Sequence, residues 1–124
     1  MSILVQDDFI SAYIPIINFT GGNVVCVDYK AILQTEVNSN ISINFDTTNL
    51  TKLDNSSAYY CYLNIKMLEN IVSIVWPTNL IWENNEAPSI ENLGIYKFVF
   101  STEDGGTTWI GNKQFEWVPL STVE

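Results

Sequence analysis

Few side chains in this chain are equipped for reaction chemistry. Histidine is absent, which removes the Ser-His-Asp and Cys-His nucleophile systems and the commonest transition-metal ligand. Two cysteines, Cys26 and Cys61, fall short of a four-ligand zinc site. No glycine-rich loop precedes a helix-like pattern, so no phosphate cradle is expected. Carboxylates remain. Asp7-Asp8, Glu83 with Glu86, and Glu103-Asp104 are the pairs that could divide general acid and base work, or offer oxygen ligands to calcium. Each has a simpler use: Asp7-Asp8 in an N-terminal arm, Glu83 and Glu86 in a polar loop, Asp104 as the acceptor that closes a turn. No EF-hand spacing occurs. The expectation is a non-enzymatic protein with no catalytic residue, no cofactor and no bound metal.

Binding chemistry is better represented. Trp82 precedes Glu83-Asn84-Asn85-Glu86, and a loop Trp beside amides and carboxylates is how a lectin stacks on a sugar ring. A Trp at a strand end more often packs into a core or an interface, and that reading is preferred here. Tyr60 and Tyr62 share one face of an alternating run, with Asn64 and Lys66. Such a face is half-buried or turned towards a partner. Tyr60, Tyr62 and Trp82 are therefore the candidate interface or ligand surface.

The elements that must position these groups read as strands. Val24–Tyr29 and Ile32–Val37 are β-branched or alternating runs. Ile41, Ile43 and Phe45 alternate with Ser42 and Asn44. Tyr59, Cys61, Leu63, Ile65 and Met67 form the apolar face of a long strand. Glu69-Asn70 predicts a tight reversal, which would make a hairpin of Tyr59–Leu68 and Ile71–Trp76. Ile95–Phe100 and Thr108–Lys113 predict a second hairpin around Asp104-Gly105-Gly106, where Asp accepts backbone N–H groups and Gly tolerates positive φ. Phe115, Trp117 and Val118 predict a short closing strand, and Leu50–Asn55 a connector of up to one helical turn. No segment of helical length shows a 3.6-residue period. Strands at short, regular spacing with turn signals between them predict an all-β antiparallel sandwich, jelly-roll-like. The expected division is an extended arm or edge strand over residues 1–20, broken by Pro15, and one sandwich domain over 21–124. Cys26 and Cys61 each fall in an apolar strand pattern and are expected to be buried and reduced.

Composition narrows the partners. The chain has 124 residues, one domain's length. Its net charge is −9, its five basic residues are scattered lysines, and it has no arginine. Phosphate backbones and anionic membrane surfaces need clustered cations, so neither is an expected partner. Ile10–Phe19 is apolar but interrupted and too short to span a bilayer. No charged region precedes the first apolar residues, so no secretory leader is expected. Charged residues make up only 15% of the chain and Asn supplies 14 positions. Such a neutral, hydrogen-bonding surface suits contact with a glycan or with another subunit.

Two resemblances attach to the C-terminal third. Thr102-x-Asp104-x-Gly106-x-Thr108-Trp109 resembles the Asp-box, a hairpin motif of sialidase-type propellers and many secreted β proteins, where it is structural. It occurs once here, so a propeller is not expected, and Trp109 should pack on its own hairpin. The wider run, Val75-Trp76-Pro77 through Trp82, Ala87-Pro88 and Asp104-Gly105-Gly106-Thr107-Thr108-Trp109, resembles the C-terminal β domain of phage tail-fibre and minor structural proteins. It departs where those domains carry a Gly-rich loop, because Glu83-Asn84-Asn85-Glu86 follows Trp82. The resemblance implies a virion component made in the bacterial host cytoplasm, such as a fibre, tail-tip or capsid-decorating subunit. It further implies a homotrimer that contacts other virion proteins and a possible host-surface glycan.

Overall fold

The computed structural model describes residues 13–90 and 92–119. These residues form strands, turns and bends, with no helix. The strands are β1 Ile16–Phe19, β2 Asn23–Val25, β3 Ile32–Val37, β4 Ile41–Ser42, β5 Asn44–Asp46, β6 Tyr59–Met67, β7 Ile74–Val75, β8 Leu80–Trp82, β9 Gly94–Thr102 and β10 Trp109–Trp117. Six of them make one sheet in the order β1-β3-β6-β9-β10-β8, and the others make two ribbons, β2-β5 and β4-β7.

Period-two alternation sorts the long strands. Leu33, Thr35 and Val37 on β3, Cys61, Leu63, Ile65 and Met67 on β6, and Tyr96, Phe98, Phe100 and Thr102 on β9 all turn to one face and are buried. The two ribbons cover that face with Val24, Ile43 and Phe45, joined by Trp76 and Val72. Aromatic rings fill the interior: Phe45 stacks on Trp109 at 4.4 Å between centroids, and Trp76 meets Trp82 edge-on at 5.0 Å. Each such pair adds about 0.5–1.5 kcal/mol beyond area burial. Gly111 lies under this cluster. A Cβ there would sit 3.0 Å from both the Phe100 and Trp82 rings, so the rings close only over glycine.

Several expectations are corrected. The sheets are mixed rather than antiparallel: five of the seven strand pairings are parallel, and only β6-β9 and β9-β10 are antiparallel. Tyr59–Leu68 and Ile71–Trp76 do not form a hairpin. β6 pairs with β3 and β9, while β7 pairs with β4. Both edges of β6 are already taken, so Ile71–Trp76 has no place beside it, and the Asn70 side chain ties the intervening loop to the Leu93 N–H at 2.7 Å. The run expected over Ile41–Phe45 divides at Ile43 between the two ribbons, with the Ile43 N–H bonding the Val75 carbonyl and the Asn44 N–H that of Gly22. Leu50–Asn55 contains turns and bends but no helix. Phe115 and Trp117 continue β10 past an irregularity after Lys113 rather than starting a new strand. Residues 13–20 of the expected arm are extended in part, and Ile16–Phe19 is an edge strand of the large sheet. Residues 1–12, including Asp7-Asp8 and the start of the Ile10–Phe19 run, lie outside the described residues.

Candidate functional site

The turn between β9 and β10 is built from its own side chains. Asp104 Oδ1 accepts the Thr108 N–H at 2.9 Å and the Thr102 hydroxyl at 3.0 Å. The Thr102 hydroxyl oxygen in turn accepts the Gly106 N–H at 2.9 Å. Gly105 and Gly106 have φ of +74° and +93°, a region glycine enters without penalty. The Thr108 N–H bond is the main reason the Asp104 carboxyl sits below the usual carboxylate range. Trp109, 2% exposed, packs not on its own hairpin but across the core, against Phe45 of β5 and Tyr59 of β6. All five residues of the motif are engaged with each other or with the core. This carboxylate is committed to backbone donors and has no reacting partner, and Glu103 is exposed beside it.

Tyr60 and Tyr62 occupy the other face of the large sheet, which neither ribbon covers. Pairing register lays that face out in rows. One row runs Ile16, Ile32, Tyr62, Val99 and Asn112 across β1, β3, β6, β9 and β10. The next runs Tyr60, Ser101, Ile110 and Ile81 across β6, β9, β10 and β8. Tyr60 is 52% exposed, and Ile16, Ile81 and Ile110 are exposed as well. Beyond a polar row of Asn18, Gln34, Asn64 and Lys97, the exposed rings of Phe115 and Trp117 continue the face. Lys30 lies over the Tyr62 ring at 5.6 Å and Lys97 over Phe115 at 5.8 Å. Three of the five lysines thus lie on or beside this face, Lys66 among them. The two tyrosines are legible in the sequence as one face of a strand, whereas the isoleucines belong to four strands that only the fold brings together. Alternation about the buried Trp109 was the available signal for Ile110.

Trp82 is 8% exposed and belongs to the aromatic core. It does not share the tyrosine face. Its ring face is taken up by Trp76, Phe98 and Phe100, so a sugar cannot stack on it. The loop that follows, with Glu83 and Glu86, instead forms one wall of an open groove of about 480 Å³.

Cys26 and Cys61 are both buried and free. A mutual hydrogen bond is the main influence on each, lowering Cys26 and raising Cys61, and burial raises both. Burial likewise pushes the Tyr59 hydroxyl above its usual range, where it bonds both backbone groups of Val27. These groups tie the β2 end to β6; the two thiols are buried and Tyr59 is half-buried. Among the described residues no cluster of three His, Cys, Asp or Glu could hold a metal ion, and no helix is long and apolar enough to cross a membrane.

No protein-family model matches the chain, and no curated protein or solved structure is detectably similar to it.

Proposed function

We propose that this chain is a non-enzymatic structural protein of a bacteriophage particle, a fibre, tail-tip or capsid-decorating subunit, that works by assembling through the face of its large sheet that neither ribbon covers. That face is the observation that carries the reading. Strands averaging about 20 Å over five inter-strand steps of about 4.8 Å give roughly 500 Å². Standard interfaces use about 800 Å² per partner, so the face is a large part of one. Its exposed apolar side chains, Ile16, Tyr60, Ile81, Ile110, Phe115 and Trp117, are interrupted by the polar row, and such a mixed surface is the composition of an ordinary non-obligate contact site. The resemblance to phage fibre domains supplies the context and the expected number, a closed homotrimer docked to other virion proteins. Closed symmetry would bury the face equally on every copy.

We read the two layers, one large sheet and two ribbons, as a β-sandwich of jelly-roll-like form with β1 as the ordered end of an N-terminal arm. A second reading, a module that binds a cell-surface glycan, is supported by the open polar groove beside β8 rather than by the sheet face. The assembly reading is tested by light scattering at tens of micromolar. A mass of three chains is expected, and a chain that stays monomeric would sink it.

A further inference from the structure

The groove beside β8 is shaped by the end of the sheet. The last bond between β8 and β10 runs from the Glu83 N–H to the Gly111 carbonyl at 3.1 Å. The chain then leaves the sheet through a tight turn in which the Asn85 N–H bonds the Trp82 carbonyl at 2.9 Å and Asn85 takes φ +65°. Asn84 Oδ1 holds the next turn by accepting the Glu86 N–H at 3.2 Å. Between this loop and β10 lies the cavity of about 480 Å³, within the range of small-ligand pockets. One wall is apolar, from Ala87, Pro88 and the edge of Trp82. The rim is polar. Asn112 donates its side-chain amide to Glu83, and Lys113 pairs with Glu116. Glu86 faces the opening with its carboxylate free of protein partners among the described residues, and Asn84 keeps its amide N–H group unused.

We propose that this groove binds a neutral glycan through a terminal or penultimate pyranose ring. A pyranose has one C–H face, which suits the Ala87–Pro88 wall, and a rim of hydroxyls that donate and accept together. Glu86 and Glu83 accept from such hydroxyls, and Asn84 and Asn112 donate to them. Charge sets the class. Two carboxylates line the groove, and its one ammonium, on Lys113, is already paired with Glu116. An acidic sugar would bring a third negative group into the groove, and like charge there is repulsive. Asn85 takes the left-handed conformation that Asn tolerates well, and the backbone bonds around it shape the turn that carries Asn84 and Glu86. This deepens the surface-attachment part of the reading above; it shares only Asn112, the end of the first row, with the assembly face, and none of that face's apolar residues lines the groove.

The test is protein-observed NMR and calorimetry on the full chain with neutral glucose, galactose and N-acetylglucosamine oligosaccharides, and sialylated or uronate oligosaccharides as the acidic arm. At about 10 mM a site with a Kd near 1 mM is mostly filled. The expected result is perturbation confined to the Trp82 indole, the Asn112 side-chain amide and the Asn84–Glu86 amides, by neutral sugars only. Glu86→Gln should weaken binding about tenfold or more with unchanged melting and unchanged mass. Asn112→Ala should weaken it as well, while Ile110→Glu on the sheet face should leave it intact. No perturbation by any neutral sugar, a preference for acidic sugars, or full affinity in Glu86→Gln would each overturn the proposal. Mass measured on the same samples reports the assembly reading separately.

Discussion

Of the loops that hold residues at positive φ, two solve the problem in opposite ways. The turn from Glu103 to Thr108 puts Gly105 and Gly106 there and bonds its backbone to Asp104 and Thr102. The loop from Leu68 to Ser73 puts Ile71 there, at φ +61°. A β-branched residue in that region is a true outlier and costs on the order of 1–3 kcal/mol. Ile71 is also 90% exposed, so burial returns almost nothing. Exposed Leu68 and Leu93 flank it, with Asn70 tying the loop to the Leu93 N–H. The first loop is complete within the chain. The second holds strain and an apolar side chain that stays exposed among the described residues. Local sequence therefore accounts fully for architecture at one turn, whereas at the other it leaves a strained, exposed apolar side chain.

The largest effects should come from breaking the self-contained turn. Gly106→Val places a branched side chain at φ +93°, with the Leu53 side chain 3.3 Å from the new Cβ. A loss of about 2–3 kcal/mol is expected from the named strain and overpacking mechanisms, read by chemical denaturation. Asp104→Ala strands the Thr108 N–H and unpairs the Thr102 hydroxyl, and should lose about 1–2 kcal/mol. Unchanged melting in both variants would show that the turn is not held this way.

The contrasting loop should respond with the opposite sign. Ile71→Gly relieves the left-handed strain and removes no buried surface, so stability should rise by up to about 1 kcal/mol. A drop in melting temperature would mean that Ile71 makes contacts the comparison denies it.

The smallest effect is with pH. Hydrogen bonds hold the carboxyls of Asp46, Asp54 and Asp104 below their ordinary value: from Thr48 first for Asp46, and from the Ser56 and Thr108 N–H groups first for the other two. A depressed folded-state value means that the stabilisation is complete above the unfolded carboxylate range and is lost as pH falls through the lower folded one. Melting temperature should therefore hold near neutrality and fall only below about pH 4. Asp104→Asn should flatten part of that acid limb. An equally steep limb in the variant would assign the acid sensitivity elsewhere.

Much of the frame was legible because long strands carry their own signal. β3, β6 and the β9-β10 hairpin follow from alternation and from Asp104-Gly105-Gly106, since antiparallel neighbours joined by a short turn need only local information. Parallel partners do not announce themselves. β1 against β3, β3 against β6 and β8 against β10 are joined through long excursions of chain, and nothing in the residues names the partner. The three-residue β8 was missed for that reason. Trp82 is the sharpest case. Its neighbours Glu83 and Asn84 mark a wet loop, but its own place was decided by Gly111, one strand away, which leaves room for the indole beside Phe100. The groove shares that history, because Asn112 reaches Glu83 only through the β8-β10 pairing.

The account rests most heavily on the open face of the large sheet. Its most direct test is sedimentation velocity at tens of micromolar on the wild-type chain beside Val99→Glu/Ile110→Glu, two outward positions on β9 and β10. The account predicts a wild-type species of three chains and a monomeric variant with nearly unchanged far-ultraviolet circular dichroism. A wild type that is monomeric throughout, or a folded variant that assembles as well as the wild type, would contradict it.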